Sequence, residues 1–223
     1  MKFVVVSDTY NHLPNIQEEY DIFIHAGNFT PSLTTNNHQT EIDNQIKWME
    51  DYFCPWFKNI KAKNKILVPG NNDFIAQWLS RDLEKHIEGM YLQDEAATIN
   101  GLVFYGMPWL PADSEKYINC EIDPVFVSPS KKHFQAACKK IPDETNILIT
   151  RIPPKNILDI HNEMSVGDED LLKRLVGIKN LKLHIFGFAE NTVSSVFYDN
   201  KIVFANAFLK KVENSYSVLQ IEI

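Results

Sequence analysis

Five short apolar runs, each ending at a glycine or a polar residue, constrain this chain more than any other feature of its sequence. Runs that are apolar at consecutive positions are typical of strands buried on both faces. Segments with helical periodicity fill the gaps between most of them, and this alternation favours an α/β fold with parallel strands. The runs span residues 2–7, 21–27, 65–68, 146–150 and 182–187.

The remaining segments complete one predicted domain over residues 1–223. Ile42, Ile46, Met49 and Phe53 mark one face of an amphipathic helix, which we expect Pro55 to interrupt. Further helices are predicted at 74–88, 131–141 and 168–176, and Asn72-Asp73 is expected to cap the first of these. Strand hairpins are predicted around Asn100-Gly101 and Asp199-Asn200, with an edge strand at 217–223.

The charge balance is acidic and excludes some partner classes. The chain has 22 basic and 29 acidic residues, a net charge of −7. A non-specific nucleic-acid binder needs many Lys and Arg to replace phosphate counterions, so nucleic acid is not expected as a partner. A phosphate-bearing small ligand stays open, because a local pocket can oppose the global charge.

The three cysteines and the hydropathy pattern indicate a cytoplasmic location. Cys54, Cys120 and Cys138 are odd in number and have no CxxC spacing, so we interpret them as buried thiols in a reducing compartment. No apolar run approaches the ~20 residues of a membrane helix, and the apolar start is too short for a signal peptide. We therefore expect no membrane association.

The loops after the five strands carry a recognisable set of residues. They read SDTYN, HAGNFT, PGNND, TRIPP and FGFAE, at 7–11, 25–30, 69–73, 150–154 and 186–190. Their order and spacing resemble the calcineurin-like metallophosphoesterases, whose loops read SDTH, GD, GNH followed by Asp or Glu, THxPP and GHxH. The chain is most similar to the small single-domain MPPED-type branch, and the similarity runs from residue 2 to about 208.

The resemblance implies both a fold and a chemistry. The implied fold is an α/β/β/α sandwich, in which helices flank two mixed β-sheets. The implied chemistry is hydrolysis of phosphate esters by two divalent metals such as Mn, Fe or Zn, which clamp the phosphoryl oxygens and activate a water. Such a centre needs carboxylates, an Asn carbonyl and neutral imidazoles as ligands.

When the eight site residues of the family are compared with this sequence position by position, most of them differ. Two of the eight positions keep the family residue and six do not. The matching residues are Asp8 and Asn71. The replaced ones are Tyr10, Asn72, Arg151, Phe188 and Glu190, where the family has histidine, and Asn28, where it has the aspartate that bridges both metals.

These replacements predict that no two-metal centre forms. One site would present Asp8, Tyr10, Asn28 and Glu190, and a weak single-cation site at Asp8 and Glu190 stays open. The other would contain Arg151 and an aromatic ring, and a permanent cation cannot ligate a metal. We therefore expect no cofactor and no catalytic residue, and we interpret the eight positions as a vestigial active-site pocket.

The leading hypothesis is a pseudoenzyme that serves as a protein-binding or structural module, a scaffold whose partner and oligomeric state the sequence does not specify. One alternative is a metal-free phosphate or nucleotide binder that uses Arg151, since guanidinium matches phosphate geometry. The other is a residual one-metal phosphodiesterase at Asp8 and Glu190.

Arg151 carries the sharpest structural expectation. Without metals, Asp8 and Glu190 would face each other as like charges, which is costly in a partly dry pocket. A guanidinium between them would donate up to five hydrogen bonds from one plane. We expect Arg151 to form a salt bridge with Asp8, with Glu190 or with both.

Overall fold

The chain builds two large β-sheets and two small hairpins. The computed structural model describes residues 1–76, 86–117, 123–190, 195–199, 202–213 and 215–223. The strands are β1 Lys2–Val6, β2 Tyr20–Ala26, β3 Ala62–Val68, β4 Met90–Tyr91, β5 Glu95–Ile99, β6 Leu102–Met107, β7 Ile147–Thr150, β8 Ile160–His161, β9 Met164–Ser165, β10 Leu183–Phe186, β11 Ser195–Asp199, β12 Ile202–Asn206, β13 Lys210–Val212, β14 Ser215–Ser217 and β15 Leu219–Glu222.

The two sheets each have a parallel centre. The first has the order β15-β1-β2-β3-β4 and the second β11-β12-β10-β7-β6-β5. Neighbouring strands of β1, β2 and β3 pair in parallel, as do β6, β7, β10 and β12, whereas β15, β11 and β5 are antiparallel edges. Parallel strands end at the same edge of a sheet, so the loops after β1, β2, β3, β7 and β10 are brought together.

Helices cover the outer faces of both sheets. They are α1 His38–Trp48, a π-helical turn Met49–Phe53, α2 Cys54–Asn59, a 3₁₀ turn Ala112–Tyr117, α3 Lys131–Lys140 and α4 Glu169–Gly177. The side chains of Asn37, Ser130 and Asp168 cap α1, α3 and α4 by accepting a backbone N–H of the first turn.

Pro55 was expected to interrupt its helix, but the helix continues through it. The chain stays helical from residue 38 to 59, because the π-helical turn just before Pro55 widens the spiral. The backbone N–H of Cys54 donates to the carbonyl of Met49, five residues back. A proline at the next position then removes a donor where the hydrogen-bond pattern is already shifted.

Three apolar clusters define the layers. The inner faces of both sheets pack together through residues such as Val5, Ile24, Ile149 and Ile185, all fully buried. The outer face of the first sheet packs on α1 and α2, and that of the second sheet packs on α3 and α4. This is the predicted α/β/β/α sandwich.

Some predictions fall outside the described residues. Most of the predicted helix at 74–88, the second residue of the Asp199-Asn200 turn and Cys120 are among them. Of the other cysteines, Cys138 is buried and Cys54 is half-buried, and both are free thiols. In the described ranges, no helix has the length and hydropathy needed to cross a membrane.

Candidate functional site

The site is centred on the carboxylate of Asp8, where the five loops converge. Its Oδ2 accepts hydrogen bonds from the Ser7 hydroxyl at 2.6 Å and from the Phe188 backbone N–H at 3.1 Å. Its Oδ1 accepts from the Asn28 side-chain amide at 3.0 Å. Arg151 donates to both oxygens, Nη2 to Oδ1 at 2.6 Å and Nη1 to Oδ2 at 3.1 Å. Five donors therefore surround one buried carboxylate.

Arg151 is the largest fully buried side chain of the described residues, 1% exposed. Its two bonds to Asp8 form a bidentate pair, the strongest geometry for guanidinium and carboxylate. A third N–H of the guanidinium, on Nε, donates to Oδ1 of Asn71 at 2.9 Å. The Phe188 ring lies 5.0 Å from the guanidinium carbon, a cation–π contact. The predicted ion pair is thus confirmed for Asp8.

Three glycines leave room for the Arg151 side chain. A Cβ on Gly27 would lie 3.1 Å from Cδ of Arg151, and one on Gly70 would lie 3.1 Å from its Nε. On Gly187, a Cβ would lie 2.9 Å from Nη1, 2.5 Å from Oδ2 of Asp8 and only 2.1 Å from the Ser7 hydroxyl. The loops therefore close around the arginine along its whole length.

Asn28, at the family's bridging-aspartate position, acts as both donor and acceptor. Its Nδ2 donates to Asp8 and to the Tyr10 hydroxyl at 3.1 Å, while its Oδ1 accepts the backbone N–H of Asn72 at 2.9 Å. An aspartate could not donate to either oxygen. Burial, reinforced by the Asp8 charge, raises the pKa of Tyr10, so its hydroxyl stays protonated.

The Asn72 side chain stabilises a neighbouring loop and is not among the groups that donate to Asp8. Its side-chain amide donates to the carbonyl of Pro31 at 2.7 Å and to that of Thr30 at 3.3 Å. Its backbone carbonyl accepts from the side chain of Gln45 at 2.7 Å, whose Oε1 in turn accepts the Ile75 N–H at 3.1 Å. Gln45, 1% exposed, was missed by sequence reasoning, although it lies on the buried face of the predicted helix.

Asp73 was expected to cap a helix, and its carboxylate instead joins two loops. It accepts the backbone N–H groups of Asn28 at 2.8 Å, Gly70 at 2.7 Å and Thr30 at 3.0 Å, together with the Thr30 hydroxyl at 2.8 Å. Complete burial raises its pKa to about 6, against the opposing effect of these donors. No local pattern predicts this role, because two of its three partner residues, Asn28 and Thr30, lie 43 to 45 residues away.

Four of the site residues have a left-handed backbone. Asp8, Tyr10, Asn28 and Phe188 have φ values of 54°, 49°, 55° and 67°. This region is uncommon for side chains other than Asn or Gly, and strain of this kind concentrates at functional sites. These four positions therefore carry backbone strain that the contacts around Asp8 must hold in place.

Glu190 is the predicted site residue that the structure places elsewhere. Its side chain is exposed, whereas Asp8 and Arg151 are buried, and among the described contacts it has no ion pair with Arg151. The expectation that Glu190 faces Asp8 is therefore wrong. The backbone N–H of Phe188 and the Ser7 hydroxyl donate to Oδ2 of Asp8, and the His161 ring stacks on the Phe188 ring at 5.5 Å.

The buried histidines of the two sheets have structural partners. Nε2 of His25 lies 2.9 Å from the Thr9 hydroxyl, and Nε2 of His184 lies 2.8 Å from the Thr150 hydroxyl. Burial lowers the pKa of each histidine to about 3. Both are therefore neutral at pH 7 and fix threonines at the base of the loops.

The side chains at the site do not fit a two-metal centre. The cluster offers one carboxylate, two amides, a phenol and a guanidinium, and no imidazole. In the described part of the chain, no three His, Cys, Asp or Glu side chains group in a way that could hold a metal ion. The donor set suits an internal ion pair better than any divalent cation.

Comparisons with known proteins place the chain in a family. A family model for the calcineurin-like phosphoesterases matches residues 1–187. A UPF0046 protein of Caenorhabditis elegans is 30% identical over 93% of this chain and 69% of its own length. Human metallophosphoesterase domain-containing protein 1 is 27% identical, over 92% of this chain and 65% of its own.

Structural comparison agrees at the level of the fold. One crystal structure superposes with a TM-score of 0.62 at 13% identity, covering 92% of this chain and 89% of that one. The order of the loops, the sandwich and the sequence matches lead to one conclusion. The chain belongs to the calcineurin-like phosphoesterase family.

Proposed function

We propose that this protein is a catalytically inactive member of its family, in which the Arg151–Asp8 ion pair takes the place of the metal centre. The observation that carries the proposal is the bidentate bond between two side chains that are each 1% exposed. The family's metals neutralise acidic ligands and hold five loops together. A guanidinium can perform both tasks with fixed charge and directional donors.

The hydrogen bonding of Asp8 supports this role. Both carboxylate oxygens are engaged by donors from Ser7, Asn28, Arg151 and Phe188. A divalent cation would have to displace the guanidinium and leave it buried without its partner, which is strongly unfavourable. A cation site at Asp8 and Glu190 is disfavoured for a second reason, since the Glu190 side chain is exposed whereas Asp8 is buried.

Burial also disfavours a phosphate sensor built on Arg151. Three of the five guanidinium N–H groups already donate to Asp8 and Asn71, so a phosphate could bind bidentately only by displacing one of these partners. It would also have to displace the Phe188 ring from the guanidinium and separate His161 from that ring. The expected role is therefore that of a binding or structural module, with a protein as partner.

Metal content and turnover test the first part of the proposal. After incubation with Mn²⁺ or Zn²⁺ and desalting, we expect less than stoichiometric metal by elemental analysis. Hydrolysis of bis(4-nitrophenyl) phosphate should match that of the Asp8→Ala variant, which serves as the background. Stoichiometric metal together with turnover that Asp8→Ala abolishes would contradict the proposal.

Purification from the native source tests the second part. Under non-dissociating conditions we expect the 25.8 kDa chain to elute in a heavier complex that contains a different protein. Elution of the chain alone, or of a complex that contains only copies of this chain, would contradict the proposal that it binds another protein.

A further inference from the structure

The β5 strand is a free edge of the second sheet. In the described part of the chain it pairs with β6 alone, across the tight Asn100-Gly101 turn, whose φ values are 51° and 78°. In a two-residue hairpin the residue before the turn, here Ile99, is hydrogen-bonded to the opposite strand, and bonded positions recur at every second residue. The backbone N–H and C=O groups of Ala96 and Thr98 therefore point away from β6.

These outward groups are open to a further strand. Ala96 and Thr98 are exposed, and among the described contacts neither residue has a hydrogen bond outside the β5–β6 pairing. Protected edges carry lysine, proline or inward-pointing charges. The sequence of β5, EAATI, has only Glu95 at one end, and its short central side chains let a second backbone approach within hydrogen-bonding distance.

The two ends of β5 limit the length of this edge. Asp94 has a left-handed backbone with a φ of 53°, and its N–H donates to the carbonyl of Gly106 at 2.8 Å, so the chain bulges just before the strand. The Asn100-Gly101 turn closes the other end. An added strand can therefore pair only with the five residues of β5.

We propose that β5 pairs with β5 of a second copy of this chain, antiparallel and about a twofold axis at Ala97. Ala96 of each copy then lies opposite Thr98 of the other, so their outward N–H and C=O groups form about four hydrogen bonds. The two Ala97 residues face each other at a non-hydrogen-bonded position, where Cα atoms are about 4.5 Å apart and methyl groups fit. The contact uses the edge of each copy completely, so it gives a dimer and not a fibre.

Self-pairing suits the side chains of β5. Ala97 and Ile99 belong to the apolar layer between the sheets, and the pairing continues this layer from one copy into the other. Glu95 of each copy faces Ile99 of the other, so the two Glu95 residues are about 14 Å apart along the strands. This distance exceeds the Debye length of about 8 Å at physiological ionic strength, so the two carboxylates do not oppose the pairing.

The size of the contact determines its strength. Two strands of this length bury less than the roughly 1,200 Å² of a stable interface, so we expect a weak dimer that forms at high protein concentration. The contact involves none of the residues around Asp8. It therefore goes beyond the proposed function and stands independently of it.

Sedimentation velocity of the full chain over about 5–500 µM tests this dimer. We expect the average mass to rise from 25.8 kDa towards twice that value. Thr98→Pro removes one outward N–H from each copy, so half of the new hydrogen bonds are lost and the dissociation constant should rise roughly tenfold or more. Proline is tolerated at an edge position whose N–H faces solvent, so the β5–β6 pairing is kept. Thr98→Val, the matched control, retains the N–H and should dimerise like the wild type.

Amide hydrogen exchange followed by ¹H–¹⁵N NMR locates the contact. The amides of Ala96 and Thr98 should exchange roughly threefold more slowly, or slower still, at the high concentration. Those of Ala97 and Ile99, which are bonded to β6, should stay slow at every concentration.

Three results would overturn the inference. They are a chain that stays monomeric at every concentration, a dimer that Thr98→Pro leaves intact, and concentration-dependent protection centred on another strand such as β11. If Ala97 and Ile99 lose their slow exchange in Thr98→Pro, that variant disrupts the hairpin. Ala96→Pro, at the other outward position, then replaces it with the same expected result.

Discussion

The guanidinium of Arg151 holds both oxygens of the Asp8 carboxylate, at 2.6 and 3.1 Å, across 143 residues of chain. The pair links the first loop of the first sheet to a loop of the second sheet. Since both side chains are 1% exposed, neither charge has solvent to replace its partner. The stability of the site thus depends on the pair staying intact.

Removal of the arginine should destabilise the fold strongly. We expect Arg151→Met to lower the free energy of unfolding by about 3 kcal/mol, because Asp8 keeps a buried charge without its partner. Urea denaturation measures the change. The matched control is Lys173→Met, which breaks an exposed pair with Glu169 and should cost about 0.5 kcal/mol or less. A loss at Arg151 no larger than the control would contradict the role of the pair.

The close approach of Gly187 gives a steric test. Gly187→Ala places a methyl group 2.1 Å from the Ser7 hydroxyl and 2.5 Å from Oδ2 of Asp8, so the loop must shift. We expect a loss of about 1–3 kcal/mol, as for overpacked cores. Gly177→Ala is the control, since its nearest contact would be Arg174 at 3.6 Å. Equal melting temperatures for the two variants would show that the loop is loosely packed.

Restoring the family's bridging carboxylate should be harmful in this context. Asn28→Asp replaces a donor 3.0 Å from Oδ1 of Asp8 with an oxygen, so two like charges meet in a buried site. We expect a loss of about 2 kcal/mol at pH 7 that shrinks as the pH falls and the new carboxyl gains a proton. Denaturation from pH 7 to 4 measures it, with Asn100→Asp on the exposed turn as control. A loss independent of pH would mean that steric change dominates.

Single reversion of Arg151 should not restore metal binding. Arg151→His still leaves Asn28 and Phe188 at ligand positions, so we expect no bound Mn²⁺ by elemental analysis. The six-fold variant should gain Mn²⁺, because it returns the imidazole and carboxylate ligands that a two-metal centre needs. That variant combines Tyr10→His, Asn28→Asp, Asn72→His, Arg151→His, Phe188→His and Glu190→His. Stoichiometric metal in Arg151→His alone would contradict the ligand argument.

The buried histidines should make stability depend on pH. Burial lowers the pKa of His184 to about 3 in the folded state, below its ordinary 6.5. The unfolded chain then binds more protons between these values, so stability is lost as the pH falls through this window. We expect the stability difference between wild type and His184→Gln to narrow by about 1.4 kcal/mol per pH unit below pH 6. Subtraction of the two curves removes the opposite contribution of Asp73, whose pKa is raised.

A surface substitution serves as the control for that measurement. Val176→Ala changes an exposed side chain without a titratable group, so its difference from the wild type should stay constant with pH. A constant difference for His184→Gln as well would mean that the histidine ring gains a proton in the folded state.

The sequence by itself determined the layers of the fold and the position of each loop. Apolar strands and amphipathic helices bury their faces in only a few ways, and parallel strands bring their ends to one edge. The resemblance of the loops to the family also led to the prediction that Arg151 would pair with Asp8, with Glu190 or with both, because a guanidinium would stand where the family's metals neutralise acidic side chains.

Only the tertiary structure decided how those side chains share the space. Asp73 and Gln45 hold the loops through partners 27 to 45 residues away, which no local pattern encodes. Glu190 lies at the surface, and the Ser7 hydroxyl and the Phe188 N–H bind the Asp8 carboxylate instead. Which groups meet in a buried cluster depends on distances of a few tenths of an ångström between packed atoms, and these arise only when all five loops close together.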